Sequence, residues 1–145
     1  MSEGFVSRAF RGRRQEGDVA GRLPPGQYLE RGFPVLSAGP TPRAGTRTWE
    51  LKVTTETGQV HTWDWAAFRA LPAEDITADL HCVTKWSKLA THWQGVSVDV
   101  LLREVTTSAR FAMAHCYGGY TTNLPLADLM DGKAWVAFSY DGAPL

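Results

Sequence analysis

The stretch at residues 76–102, ITADLHCVTKWSKLATHWQGVSVDVLL, decides how this chain is read. Ile76, Ala78, Leu80 and Cys82 recur every second residue, the period that places side chains on one face of a strand. The expectation is a strand whose buried face ends in a cysteine. Val83, Thr84 and Lys85 then break the pattern and predict a turn, with Trp86 behind it. At the far end Ser97 is suited to cap a helix, and Val98, Leu101, Leu102 and Val105 fall on one helical face. Cys82 therefore emerges where a strand gives way to a turn, in a chain with only 2 cysteines.

Working outward, residues 1–22 are polar, rich in glycine and arginine, and without sustained periodicity. They read as a mobile leader with solvated arginines. The RGRR run at 11–14 is similar to a twin-arginine export signal, but no apolar stretch follows it. Residues 23–45 carry too many prolines for a helix, and Tyr28, Leu29, Phe33, Val35 and Leu36 are too apolar for a free linker. An ordered extended segment packed on other structure is expected. At 48–65, Trp49, Leu51 and Val53 alternate, Glu56, Thr57 and Gly58 turn the chain, and Val60 and Thr62 resume, which predicts a hairpin. Asp64 then caps a short helix bearing Trp65, Phe68 and Leu71, stopped by Pro72. Downstream, RFAMAHCY reads as a strand, GGYTTN as a loop, PLADLM as a short helix and AWVAFSY as a last strand. The fold class is α+β, mixed sheets with short helices, and residues 23–145 form one domain.

With 145 residues the chain suffices for one domain with one sizeable core. A hydrophobic fraction of 43% with 21% charged residues excludes general disorder. Fifteen basic and fifteen acidic residues cancel, so no global charge attracts nucleic acid or an anionic membrane. No apolar run is long enough to span a bilayer, and no secretory segment is seen. A cytoplasmic, reducing address with free thiols is expected. Neither a Gly-rich phosphate loop nor an internal repeat is present.

The residues alone leave four readings of Cys82. It is a small buried hydrophobe. It is a nucleophile, with Lys85 lowering its pKa and His92 or His115 approaching in space; His81, adjacent on the strand, points to the opposite face. It joins His92, His115 and Cys116 around zinc, although no C-x-x-C or H-x-x-x-H element holds two ligands in local register. Or it is a thiolate ligand to a soft metal delivered inside an organic cofactor.

Four blocks, DLHCVTKWS, WQGVSVDVLL, AHCYGGYTTNLPLADLM and AWVAFSYDGAPL, in that order, resemble the molybdopterin-binding domain of the sulfite oxidase family. The pattern is most similar to the bacterial members that include the catalytic subunit of the protein-methionine-sulfoxide reductase. The resemblance implies the sulfite-oxidase-like α+β fold and a molybdenum-molybdopterin cofactor, with tungsten in place of molybdenum in rare members. One protein thiolate completes the metal's sulfur ligands there, and the matching position is Cys82. By the same resemblance Tyr120 lies near the metal, and Thr84 and Lys85 line the pocket mouth, Lys85 offering charge to an oxyanion. Arg31 and Phe33, in RGFPV, belong to a stretch that reaches the pterin, with Arg31 serving its phosphate. Cys116 is core, and Trp86 and Trp93 pack around the ligand turn.

The implied activity is two-electron oxygen-atom transfer on a small oxyanion or sulfoxide, with electrons exchanged with a separate protein. VTKWS stands where the eukaryotic sulfite oxidases carry an arginine-rich turn, which argues against sulfite itself. The family pattern continues past YDGAPL into His-Gly-x-Pro-x-Arg and Lys-Trp elements, so the chain reads as a C-terminally truncated domain. Weak cofactor retention, and a sheet edge covered by a second copy, are the corresponding expectations. The competing expectation is a cofactor-free binding or interaction domain that keeps the scaffold.

Overall fold

The computed structural model describes residues 19, 21–34, 36–37, 39–40 and 42–145. Most of the expected leader, including the RGRR run, lies outside the described residues, as does Val35. The elements in chain order are β1 (Tyr28–Leu29), β2 (Glu50–Thr54), β3 (Val60–Asp64), α1 (Trp65–Arg69), β4 (Glu74–His81), β5 (Trp86–Ser97), α2 (Val98–Leu102), β6 (Phe111–His115), β7 (Thr121–Pro125), a 3-10 turn (Leu126–Asp128), β8 (Trp135–Tyr140) and β9 (Ala143–Pro144). Strands dominate and the helices are short, in agreement with a mixed-sheet α+β class. Both pairing senses occur: β1 runs parallel to β5, whereas β8 runs antiparallel to β5 and to β9. Among the described residues no helix is long and apolar enough to cross a membrane.

The chain divides into two compact units. The first comprises the described part of Met1–Gly32 together with Asp79–Leu89. Here residues 28–30 of the proline-rich segment pack as expected, because β1 lies along the start of β5: Tyr28 N–H donates to Lys85 O at 2.9 Å and Glu30 N–H to Ser87 O at 2.8 Å. Arg22, expected to be solvated, forms a bidentate ion pair with Asp79, with Nε to Oδ2 at 3.2 Å.

The second unit comprises Phe33–Ala78 and Ala90–Leu145. Its buried cluster is Phe68, Val96, Leu101 and Phe138, with Trp49, Leu51, Trp63, Trp65, Leu71, Val100 and Val136 packed around it. Phe68 is fully buried, so truncating it to alanine removes about 3–5 kcal/mol of packing. Asp64 caps α1 as predicted, its Oδ1 accepting from Ala67 N–H at 2.7 Å. Ser97 caps α2 through Asp99 N–H at 3.2 Å. The helix is shorter than the periodicity suggested and ends at Leu102. Gly95 is required where β5 meets β8, because a Cβ there would stand 2.8 Å from Val136 O.

Three expectations are corrected. In the hairpin the inward residues of β3 are His61 and Trp63, while Val60 and Thr62 face out. The turn pairs Val53 with His61 and Leu51 with Trp63, and cross-strand partners share a face. The loop expected at GGYTTN is a turn followed by β7, which pairs with β6 from Phe111↔Pro125 to His115↔Thr121. The buried face expected of residues 76–82 is only partly covered: Ile76, Leu80 and Cys82 are half-buried and Ala78 is exposed.

Candidate functional site

The Cys82 turn is built by the sequence that follows β4. Cys82 N–H donates to Trp86 O at 2.8 Å and Lys85 N–H returns to Cys82 O at 3.0 Å. Lys85 takes the left-handed backbone at φ 72°. This is a three-residue hairpin loop, a tight turn followed by one left-handed residue. Glycine occupies that position without strain, so a lysine there costs about 1–2 kcal/mol that the surrounding hydrogen bonds must offset.

The turn shapes the chemistry of the sulfur. Thr84 Oγ1 lies 3.2 Å from Cys82 Sγ. The Thr84 hydroxyl, then the Thr84 and Val83 backbone N–H groups, lower the thiol's pKa against the opposing effect of desolvation. All three are donors, so they favour the thiolate over the thiol. Cys82 itself is half-buried, Cys116, expected in the core, is exposed, and both cysteines are free.

Behind the sulfur, a chain of hydrogen bonds fixes the backbone of Cys82. Gln27 Nε2 donates to Cys82 O at 3.0 Å, and the fully buried Ser87 hydroxyl donates to Gln27 Oε1 at 3.1 Å. Ser87 Oγ also meets His81 Nδ1 at 2.8 Å. The single Ser87 proton goes to an amide oxygen that can only accept, so His81 carries its proton on Nδ1. His81 is thereby turned to Ser87 and not to the thiol, which removes it as the base of a Cys82 nucleophile. His92 is hydrogen-bonded to Thr77 at 3.1 Å.

Of the residues singled out by sequence, the first unit holds Cys82, Thr84, Lys85 and Arg31, and the turn brings Cys82, Thr84 and Lys85 together. Arg31 is exposed and makes its contacts through the backbone: its N–H donates to Glu30 Oε1 at 2.8 Å and its carbonyl accepts from Lys88 Nζ. Phe33 and Tyr120 belong to the second unit. There Phe33 stacks edge-on against Trp93 and Tyr140, with centroids 6.2 and 5.1 Å away. Tyr120 is 62% exposed and closes the turn headed by Cys116. Trp86 is buried, in keeping with packing. Gln27 was not anticipated, since its partners lie 55 and 60 positions away and nothing local marks it. The zinc set of Cys82, His92, His115 and Cys116 is not assembled: among the described residues no three His, Cys, Asp or Glu side chains form a metal-binding group.

Residues 38–145 match the family described as oxidoreductase molybdopterin binding domain. The chain belongs to that family. It is also 34% identical over 137 residues to a protein of Bacillus subtilis (strain 168) named uncharacterized oxidoreductase YuiH, across 92% of this chain and 69% of that protein. The matched segment of this molybdopterin-binding oxidoreductase domain contains the whole Cys82 turn.

The chemistry of the Cys82 sulfur is compatible with a thiolate ligand to a soft metal. A soft metal takes a deprotonated sulfur, and here three donors already favour that form. Direction is fixed as well, because the Cys82 carbonyl is held from two sides, by Gln27 Nε2 and Lys85 N–H.

Proposed function

We propose that this molybdopterin-binding oxidoreductase domain uses Cys82 as the protein thiolate to the metal and acts on a small oxyanion or sulfoxide. The reading is supported above all by the convergence of the Thr84 hydroxyl and the Val83 and Thr84 N–H groups on a half-buried sulfur at a strand end. When bound, the cofactor supplies two-electron oxygen-atom transfer, with electrons exchanged with a separate redox protein.

The chain's own residues do the rest. Thr84 favours the thiolate, the form in which a sulfur binds a metal. Gln27 and Ser87 keep the Cys82 backbone from rotating, which fixes the direction of the Cα–Cβ bond and limits the sulfur to its side-chain rotamers. Lys85, exposed in the same turn, carries a positive charge available to an anionic substrate or to the anionic cofactor. The strain accepted at Lys85 is in keeping with such a use of its side chain.

The test is molybdenum and tungsten content per chain by elemental mass spectrometry, on protein made in cells that synthesise the pterin cofactor. Wild type is expected to hold metal, and Cys82→Ser to lose it while keeping its far-UV circular dichroism. Equal metal in both proteins overturns the assignment of Cys82.

A further inference from the structure

Within the second unit, lined by none of the residues given a role at the candidate site, lies a pocket of about 410 Å³. Trp65, Phe138 and Pro144 form apolar walls, and Arg69, Gln94 and Ser139 supply the polar groups. The volume is in the range of small-molecule sites, and the lining is about equally polar and apolar in an open cleft.

Arg69 sets the preference of this pocket. Its guanidinium lies over the Phe138 ring at 3.5 Å from the centroid and is 5.9 Å from that of Trp65. Stacking covers a face of the guanidinium and leaves the N–H edge available, the edge that pairs with a carboxylate in bidentate fashion. Among the described residues no acceptor takes a hydrogen bond from the Arg69 guanidinium, and both ion pairs seen belong to other residues. The lining contains no carboxylate. Gln94 Nε2 is occupied by Asp75 Oδ1 at 3.3 Å, a carboxylate that is not part of the lining. One cation with its donor edge free, stacked on one aromatic ring and near a second, in a lining without a carboxylate, selects for a negatively charged head and an apolar body.

We propose that this pocket is a binding site for a small organic carboxylate, its carboxylate on Arg69 and its apolar body against Trp65 and Pro144. The recognition needs no metal or cofactor and is independent of the role given to Cys82. A bare oxyanion would use Arg69 and Ser139 but gain nothing from the apolar walls, so it should bind more weakly.

The probes are benzoate, acetate and inorganic phosphate, titrated into the full chain by isothermal calorimetry, with saturation-transfer NMR reporting on the benzoate ring. Benzoate is expected to bind saturably and more tightly than acetate or phosphate. Arg69→Met is expected to weaken it about tenfold or more, the loss of a charge-assisted hydrogen-bond pair. Arg69→Lys, which keeps the charge but not the fork, should recover part of the affinity, and Ser139→Ala should weaken it less than Arg69→Met does. If Arg69→Met does not fold, Arg69→Lys and Ser139→Ala carry the test, with unchanged benzoate affinity in both counting against the site. Benzoate binding equally well to a folded Arg69→Met, absence of saturable benzoate binding, or phosphate binding more tightly than benzoate each overturns the proposal.

Discussion

Cys82 and Cys116 head the same turn. In each, the cysteine N–H donates to the carbonyl four residues on, to Trp86 at 2.8 Å and to Tyr120 at 3.1 Å. In each, the residue before that one returns a hydrogen bond to the cysteine carbonyl, Lys85 at 3.0 Å and Gly119 at 2.9 Å. The left-handed position has φ 72° at Lys85 and 78° at Gly119. The side chains differ. Two residues after Cys82 stands Thr84, whose hydroxyl faces the sulfur; two residues after Cys116 stands Gly118, which has none. A third turn, between β2 and β3, repeats the backbone with Gly58 at φ 83°, and there Thr57 Oγ1 meets Thr55 Oγ1 at 2.8 Å as Thr84 meets Cys82. Backbone geometry thus aims the first side chain of such a loop, and the residue two positions on decides what that side chain meets. Only one of these loops combines a thiol, a hydroxyl donor and a lysine held where glycine serves in the other two.

The sharpest way to break this comparison is to exchange the cysteines' fates. Cys82→Ser should abolish metal retention, whereas Cys116→Ser should leave it unchanged. Metal content that falls equally in both would show that the shared turn, and not the Thr84 hydroxyl, governs the site. Lys85→Gly sharpens the contrast at smaller scale. It should raise stability by about 1 kcal/mol in urea unfolding by relieving the left-handed strain, while lowering cofactor retention through the lost charge. A decrease in stability would show that Lys85 makes contacts that outweigh the strain.

The smallest effect concerns the third turn. Glu56 accepts from Thr107 Oγ1 at 2.6 Å and from Ser108 N–H and Oγ at 2.6 and 2.8 Å, and these bonds lower its pKa from 4.5 to about 2. A carboxylate with a depressed folded pKa contributes stability that is present above its ordinary value and lost as pH falls through the folded one. Acid unfolding of wild type should therefore contain a component between pH 4.5 and about 2 that Glu56→Gln lacks. Glu56 is solvent-exposed, so the component is small. Superimposable acid-unfolding curves would remove it.

Much of the layout was legible because its signals are local. Asp64 and Ser97 announce their helices, and the alternation in β6 and β8 is visible in the sequence. β5 was not recognised, although it is the longest strand. Ala90 takes a left-handed backbone at φ 52°, and the register shifts between Gln94 and Gly95, so its alternation is reset along its length. The inward face of β3 was misplaced because the register follows from the turn at Gly58 and not from the hydrophobicity of Val60. At the candidate site, the strand-end position of Cys82 and the proximity of Thr84 and Lys85 follow from sequence adjacency. Gln27 and Ser87 do not, since their contact closes a long loop. The metal role proposed for Cys82 was not contained in spacing or composition at all; it rests on the resemblance of several blocks to a family pattern.

The most direct test of the central claim is the pH dependence of iodoacetamide labelling at Cys82 in the cofactor-free protein, read by peptide mass spectrometry in wild type and Thr84→Val. The donors around the sulfur predict a labelling midpoint below about 8.5, the ordinary thiol value, and a midpoint that rises in Thr84→Val while the labelling rate of Cys116 stays the same. A wild-type midpoint at or above the ordinary value, or one that Thr84→Val does not move, would contradict the account.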